Sequence, residues 1–255
     1  MAEKLIHIPE VYVREGSYMD IFGLFAIVLF ASTLQSGTGF GFSIMVIPFF
    51  LLLFESHDAI QLNIILSLLI SLIMTSKIRD EVNKEILIRL IKGSLIGMLP
   101  GILLFIFLDI RPLKILVSIL ILTSTGLLIA KINVKQSKLK ELIVGALSGF
   151  LTTSLGMPGP PLLIYFAGAN IDKAILRSTT LAYFVFVYLV SILLQFSMYN
   201  ISKDVWGLTL WALPFTLLGI YLGQWVFAKL NKQLFQRIIY VLLFVTGIYL
   251  LLTTL

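Results

Sequence analysis

The chain contains no cysteine, so disulfides and thiolate metal sites are excluded and the redox compartment leaves no mark. Charge is scarce as well. Only 13% of residues are Asp, Glu, Lys or Arg, against roughly 25% in an average soluble domain. All 13 carboxylates fall in termini, connectors or segment ends, and there are two histidines. That leaves no carboxylate–histidine metal cluster and no nucleophile–base pair at membrane depth, so an intramembrane enzyme is disfavoured. It also removes the usual proton relay or cation site, which favours an anion. No short apolar region with a small-residue cleavage site precedes the first long run, so a cleaved signal peptide is not expected.

Apolar residues are abundant, at 59% with a mean hydropathy of +1.04. They form repeated blocks near the ~20 residues a membrane-spanning helix requires. Ten segments are predicted: Asp20–Gln35, Phe42–Phe54, Ala59–Ser76, Ile86–Leu108 and Leu113–Ala130, then Glu141–Leu155, Leu162–Ala169, Ala174–Tyr199, Val205–Leu230 and Leu234–Leu252. Gly-rich breaks separate the first pair (Ser36–Gly41) and the sixth and seventh (Gly156–Pro161). The expected fold is an all-α polytopic membrane protein. Its parts are an N-terminal segment 1–19, a first repeat 20–130, a basic linker 131–140 and a second repeat 141–255.

Both halves share one grammar of helix, break, short helix and three long helices. Gly97-Met-Leu-Pro-Gly101 and Gly219-Ile-Tyr-Leu-Gly223 hold the same place in the fourth segments, and Ala59-Ile60 and Ala174-Ile175 open the third. These GxxxG pairs, with Gly145/Gly149, read as close helix contacts. Five segments is an odd number, and so are three crossings if each broken pair is re-entrant. The second repeat therefore inserts inverted relative to the first, with a site expected at the repeat interface.

Charge gives the orientation. Fourteen of the 19 Lys and Arg fall in the connectors Lys77–Lys92, Lys131–Lys140, Lys173–Arg177 and Lys229–Arg237. Those connectors are assigned to the cytoplasm and both termini to the opposite side of the cell (inner) membrane. The stretch Leu5–Val13 is expected at the outer interface against membrane lipid. With its basic residues so placed, the net charge of +6 reflects topology and not nucleic acid.

The breaks carry the chemistry. Alternating glycines in Gln35-Ser-Gly-Thr-Gly-Phe-Gly-Phe42 permit unusual backbone, and Pro158, Pro160 and Pro161 cannot continue an ordinary helix. Non-helical backbone at membrane depth is tolerated when buried in protein or lining a wet cavity. The short helices that follow would turn their N-terminal amides and dipoles inward, an anion site. Candidate ligands are Gln35, Ser36, Gly37, Thr38, Gly39 and Gly41 at the first break and Thr152, Thr153, Ser154, Gly156 and Gly159 at the second. Asn63 and Arg177, on the third segments, complete the set. The same residues could instead serve packing and kinks, and Arg177 could be a snorkelling topology determinant. No cofactor is expected; a coupling ion, H+ or Na+, is open.

Gly37-Thr-Gly-Phe-Gly-Phe-Ser-Ile-Met-Val-Ile-Pro48 resembles the first-half glycine motif of the TauE/SafE sulfite exporter family, which includes toluenesulfonate uptake permeases. Gly156-Met-Pro-Gly-Pro-Pro161 is similar to the second-half motif and Leu176-Arg-Ser-Thr-Thr-Leu-Ala182 to the segment after it. Phe40 stands where many members have glycine. The resemblance implies export or uptake of sulfite, organosulfonates or related sulfur oxyanions, and the two breaks favour a secondary transporter. A passive anion channel and a carrier of another small organic anion, such as a carboxylate, fit the same residues. Monomer and homodimer are equally open.

Overall fold

The computed structural model describes residues 18–107, 109–130, 134–169 and 171–229, with further helical positions between 241 and 252. Leu5–Val13, residues 131–133 of the linker and much of the last predicted segment lie outside the described residues. A backbone without water must satisfy its amides within its own segment. The described elements are accordingly helical: α1 (Tyr18–Thr38), α2 (Phe42–Leu53), α3 (Ser56–Ile78), α4 (Lys84–Phe107), α5 (Ile110–Ile129), α6 (Lys138–Leu155), α7 (Gly159–Gly168), α8 (Lys173–Met198) and α9 (Lys203–Lys229). Helices α3, α4, α5, α8 and α9 are each long and apolar enough to cross a bilayer. The expected all-α polytopic membrane protein is what the chain forms.

Both breaks are shorter than the composition indicates. Helix α1 continues through Ser36, Gly37 and Thr38, leaving residues 39–41 as the first break. The second consists of Gly156, Met157 and Pro158, because Pro160 and Pro161 stand in the opening turn of α7. An opening turn has no acceptor for its amide protons, so proline is tolerated there.

Glycines set the closest packing. A Cβ on Gly93 or Gly97 of α4 would collide with the carbonyls of Leu142 and Ala146 on α6, and one on Gly145 or Gly149 with those of Leu90 and Ser94 on α4. The same contact recurs between α9 and α1, where Gly219 meets Ser32 and Leu29, and Gly223 meets Ser36 and Thr33. These small residues let backbones touch, the usual substitute for hydrophobic driving force between helices in lipid. The GxxxG pairs are contacts, as expected.

The distribution of polarity is inside out. Ile96, Leu99 and Phe107 on α4 are 71%, 66% and 80% exposed, whereas Gln35, Gln61, Asn63, Ser67 and Gln195 are fully buried. On α9, Trp206 near one end and Trp225 near the other are exposed, the placement of interfacial aromatic belts.

Candidate functional site

The first break rests against α8. Gly39 and Gly41 have φ of +91° and +110°, values that L side chains rarely adopt. A Cβ on Gly39 would lie 2.8 Å from the Arg177 Cα. The Arg177 guanidinium closes the end of α1, donating from Nε (3.1 Å) and Nη2 (2.6 Å) to the Ser36 carbonyl. A cation at a helix C-terminus complements the dipole and satisfies a carbonyl left over by the helix. Thr38 turns its hydroxyl onto Phe40, donating to its carbonyl at 2.7 Å and accepting from its amide at 3.2 Å. Gly37 packs on α9 beside Gly223.

The second break is held from α3. Gly156 (φ +68°) closes α6: its N–H and that of Met157 return to the carbonyls of Thr152 (2.8 Å) and Leu151 (3.1 Å). The freed Gly156 carbonyl accepts from Asn63 Nδ2 at 2.8 Å, and the Pro158 carbonyl accepts from Ser148 Oγ at 2.7 Å. The Val134 amide donates to the Gly168 carbonyl at 2.9 Å, so the chain enters α6 and leaves α7 at the same end. Each break is therefore pinned by a polar side chain of the third helix in the other half.

Between the breaks the amino ends of the two short helices meet. A Cβ on Gly159, the first residue of α7, would lie 3.3 Å from Cδ1 of Ile44, whose side chain reaches over from the α2 opening turn. Around this junction runs a neutral polar chain. Tyr188 OH and Ser43 Oγ are 2.6 Å apart, Ser43 and Ser67 hydroxyls 3.4 Å, and Ser67 Oγ reaches Asn63 Oδ1 at 3.5 Å. Gln35 Nε2 donates to the Ser67 carbonyl (3.2 Å) and Ser71 Oγ (3.1 Å), while its Oε1 is buried without a hydrogen-bond partner. On the α6 side Thr153 Oγ1 is 3.2 Å from Ser191 Oγ, and Gln195 Nε2 donates to the Thr153 carbonyl at 2.9 Å.

Not every predicted ligand belongs to this group. Thr152 and Ser154 hydroxyls donate to the carbonyls of Ser148 and Phe150 in their own helix. Arg177 lies eleven residues before Tyr188 on α8, about 16 Å of helical rise away. Ser67 and Tyr188 join the network around Ser43, and Ser191 and Gln195 meet Thr153, although none of the four is among the predicted ligands. Tyr188 and Tyr183 are fully buried with engaged hydroxyls, Tyr183 OH on the Gly145 carbonyl at 3.3 Å. Aromatic residues on the long helices are thus not all packing or lipid contacts.

The two amino ends differ electrostatically. At α2 the amides of Phe42, Ser43 and Ile44 precede the first intrahelical bond, from Met45 N–H to the Gly41 carbonyl. At α7, Pro158, Pro160 and Pro161 have no N–H, leaving Gly159 as the sole amide before Leu162. Opening amides are therefore more numerous at α2 than at α7.

Buried carboxylates lie elsewhere. Glu141 accepts from Arg89, from Tyr165 OH at 2.9 Å and from Gln136 Nε2 at 3.2 Å, at the base of the α6–α7 hairpin. Asp58, at the start of α3, accepts from Ser202 Oγ at 3.3 Å. Among the described residues no His, Asp and Glu cluster is placed to hold a metal ion.

No curated protein and no solved structure matches the chain. The family model described as sulfite exporter TauE/SafE matches residues 24–250. That span includes both breaks and both third helices, and the family is one of membrane transporters, not enzymes. The chain belongs to the sulfite exporter TauE/SafE family.

Proposed function

We propose that this protein is a secondary transporter of small sulfur oxyanions, sulfite or organosulfonates, alternating access around a site between the two breaks. One observation carries the reading. The amino ends of α2 and α7 meet at Gly159 and Ile44 amid buried hydroxyls and amides, and the buried carboxylates Asp58 and Glu141 are engaged outside this network. Amides at a helix start and neutral donors can replace the water an oxyanion gives up on entering the protein.

In this reading residues 20–130 and 141–255 are inverted repeats joined by the cytoplasmic linker 131–140. The reciprocal packing of α4 on α6 and α9 on α1 supports it, as does the crossed pinning by Asn63 and Arg177. Both termini lie on the outer side of the cell membrane. Ser43, Gln35, Asn63, Gly159 and Thr153 border the substrate. Arg177, Ser36, Gly37, Thr38, Gly39, Gly41 and Gly156 shape the broken backbone, and Thr152 and Ser154 brace α6. A proton or sodium ion supplies the driving force.

Purified protein in proteoliposomes tests this by counterflow. Labelled sulfite or methanesulfonate should enter faster when the same anion is loaded inside. Entry that is saturable but indifferent to internal substrate identifies a passive channel, and no entry for any sulfur oxyanion contradicts the reading.

A further inference from the structure

Resting on that reading, the geometry points to a site at the opening turn of α2 that admits singly charged anions and rejects doubly charged ones. The positive potential available there is small. Among the described residues Arg177 is the only buried lysine or arginine, and its guanidinium is turned to the Ser36 carbonyl at the end of α1, a partially negative helix terminus. It also stands about 16 Å of helical rise from Tyr188, which contacts Ser43.

What remains is dipolar. A helix start carries roughly half a positive charge, and the two starts that meet at the junction are unequal. Three prolines strip α7 of most of its opening amides, whereas α2 keeps those of Phe42, Ser43 and Ile44. The hydroxyls of Ser43, Ser67 and Tyr188 add neutral donors. One negative charge is matched by this set and two are not, because the cost of burying an ion grows with the square of its charge, roughly fourfold for a dianion.

A second observation concerns the acceptor side. Gln35 is fully buried, its Nε2 is committed to Ser67 and Ser71, and its Oε1 has no partner. Ser67 is itself in contact with Ser43 of α2, so the Gln35 amide is joined through Ser67 to the same cluster. A buried acceptor without a donor calls for a proton-bearing guest. Hydrogensulfite, with one charge and one acidic proton, answers both features. Sulfite dianion and sulfate answer neither, and a sulfonate answers the charge.

The test is competition against counterflow of labelled methanesulfonate, whose charge is fixed at one, in proteoliposomes held at equal internal and external pH between 6 and 8. Unlabelled sulfite should lose potency as pH rises, approaching about tenfold per unit once the dianion dominates. Sulfate should compete at least ~100-fold more weakly than methanesulfonate, the scale of about 2.7 kcal/mol. Sulfate competing on a par with methanesulfonate, or sulfite gaining potency with pH, overturns the charge rule while leaving transport intact. If neither methanesulfonate nor sulfite moves, the transport reading fails and this inference with it.

Discussion

The side-chain amide of Asn63 lies 2.8 Å from the Gly156 carbonyl, across 93 residues of sequence. It occupies the place where a Cβ on Gly156 would intrude, 2.5 Å from such an atom. Its counterpart is Arg177 on the Ser36 carbonyl, across 141 residues. A helix broken in the membrane exposes carbonyls that lipid cannot satisfy. Here the Gly156 and Ser36 carbonyls are each answered by the half of the molecule that does not contain them, so the two breaks cannot move independently of the opposite third helix.

Asn63→Ala leaves the buried Gly156 carbonyl without a donor, a loss of about 1–3 kcal/mol. We expect a lower unfolding temperature in detergent together with slower counterflow. An unchanged melting curve would mean that water replaces the amide and that the contact does not hold the break.

Arg177→Gln removes the charge capping α1 and keeps a donor. If Arg177 positions the break and does not touch the anion, the maximal counterflow rate should fall about tenfold while KM for methanesulfonate changes less than about threefold. A large rise in KM with the maximal rate preserved would make Arg177 a substrate ligand instead.

Much of this was legible in the chain. Apolar block lengths gave the helices, and small residues four apart marked α4, α6 and α9 as close-contact helices without naming their partners. The break limits were not legible, because the end of α1 at Ser36, Gly37 and Thr38 is capped by Arg177, a contact across 141 residues. Pro160 and Pro161 look like breakers until the helix start is known. A further sign was available: Asn63, Ser67 and Ser71 recur every fourth residue on α3 and form one buried stripe. Tyr188 had no comparable sign, since a tyrosine facing lipid and one facing Ser43 read alike. The burial of Glu141 was hidden by its neighbours Lys138 and Lys140, its partner Arg89 being 52 residues away.

Glu141 fastens the base of the α6–α7 hairpin to α4, where it is 1% exposed. Glu141→Ala should leave the Tyr165 hydroxyl without its acceptor and Arg89 with Glu85 alone, and lower thermal stability, because a buried donor that loses its acceptor bears its desolvation cost. Glu141→Gln, which still accepts from Tyr165, should fall between the two. Differential scanning fluorimetry of the purified proteins reads the order, and equal melting temperatures would show the pair to be dispensable.

Glycine substitutions separate packing from flexibility. Gly97→Val drives a side chain into the Ala146 carbonyl of α6 and should cost at least about 1–3 kcal/mol, seen as aggregation in size-exclusion chromatography. Gly126→Ala on α5 meets nothing within 4 Å and should be neutral or stabilising by up to about 1 kcal/mol. Similar behaviour of the two would refute the close-contact account.

The absence of native cysteine allows the central claim, that the anion sits at the opening turn of α2, to be tested with one introduced thiol. Ser43→Cys should react with sulfonatoethyl methanethiosulfonate in proteoliposomes, and excess methanesulfonate should slow that reaction, while Ile96→Cys on the outward face of α4 should gain no such protection. Labelling of Ser43→Cys that methanesulfonate leaves unchanged, or a residue-43 thiol that never reacts in folded protein, would contradict the account.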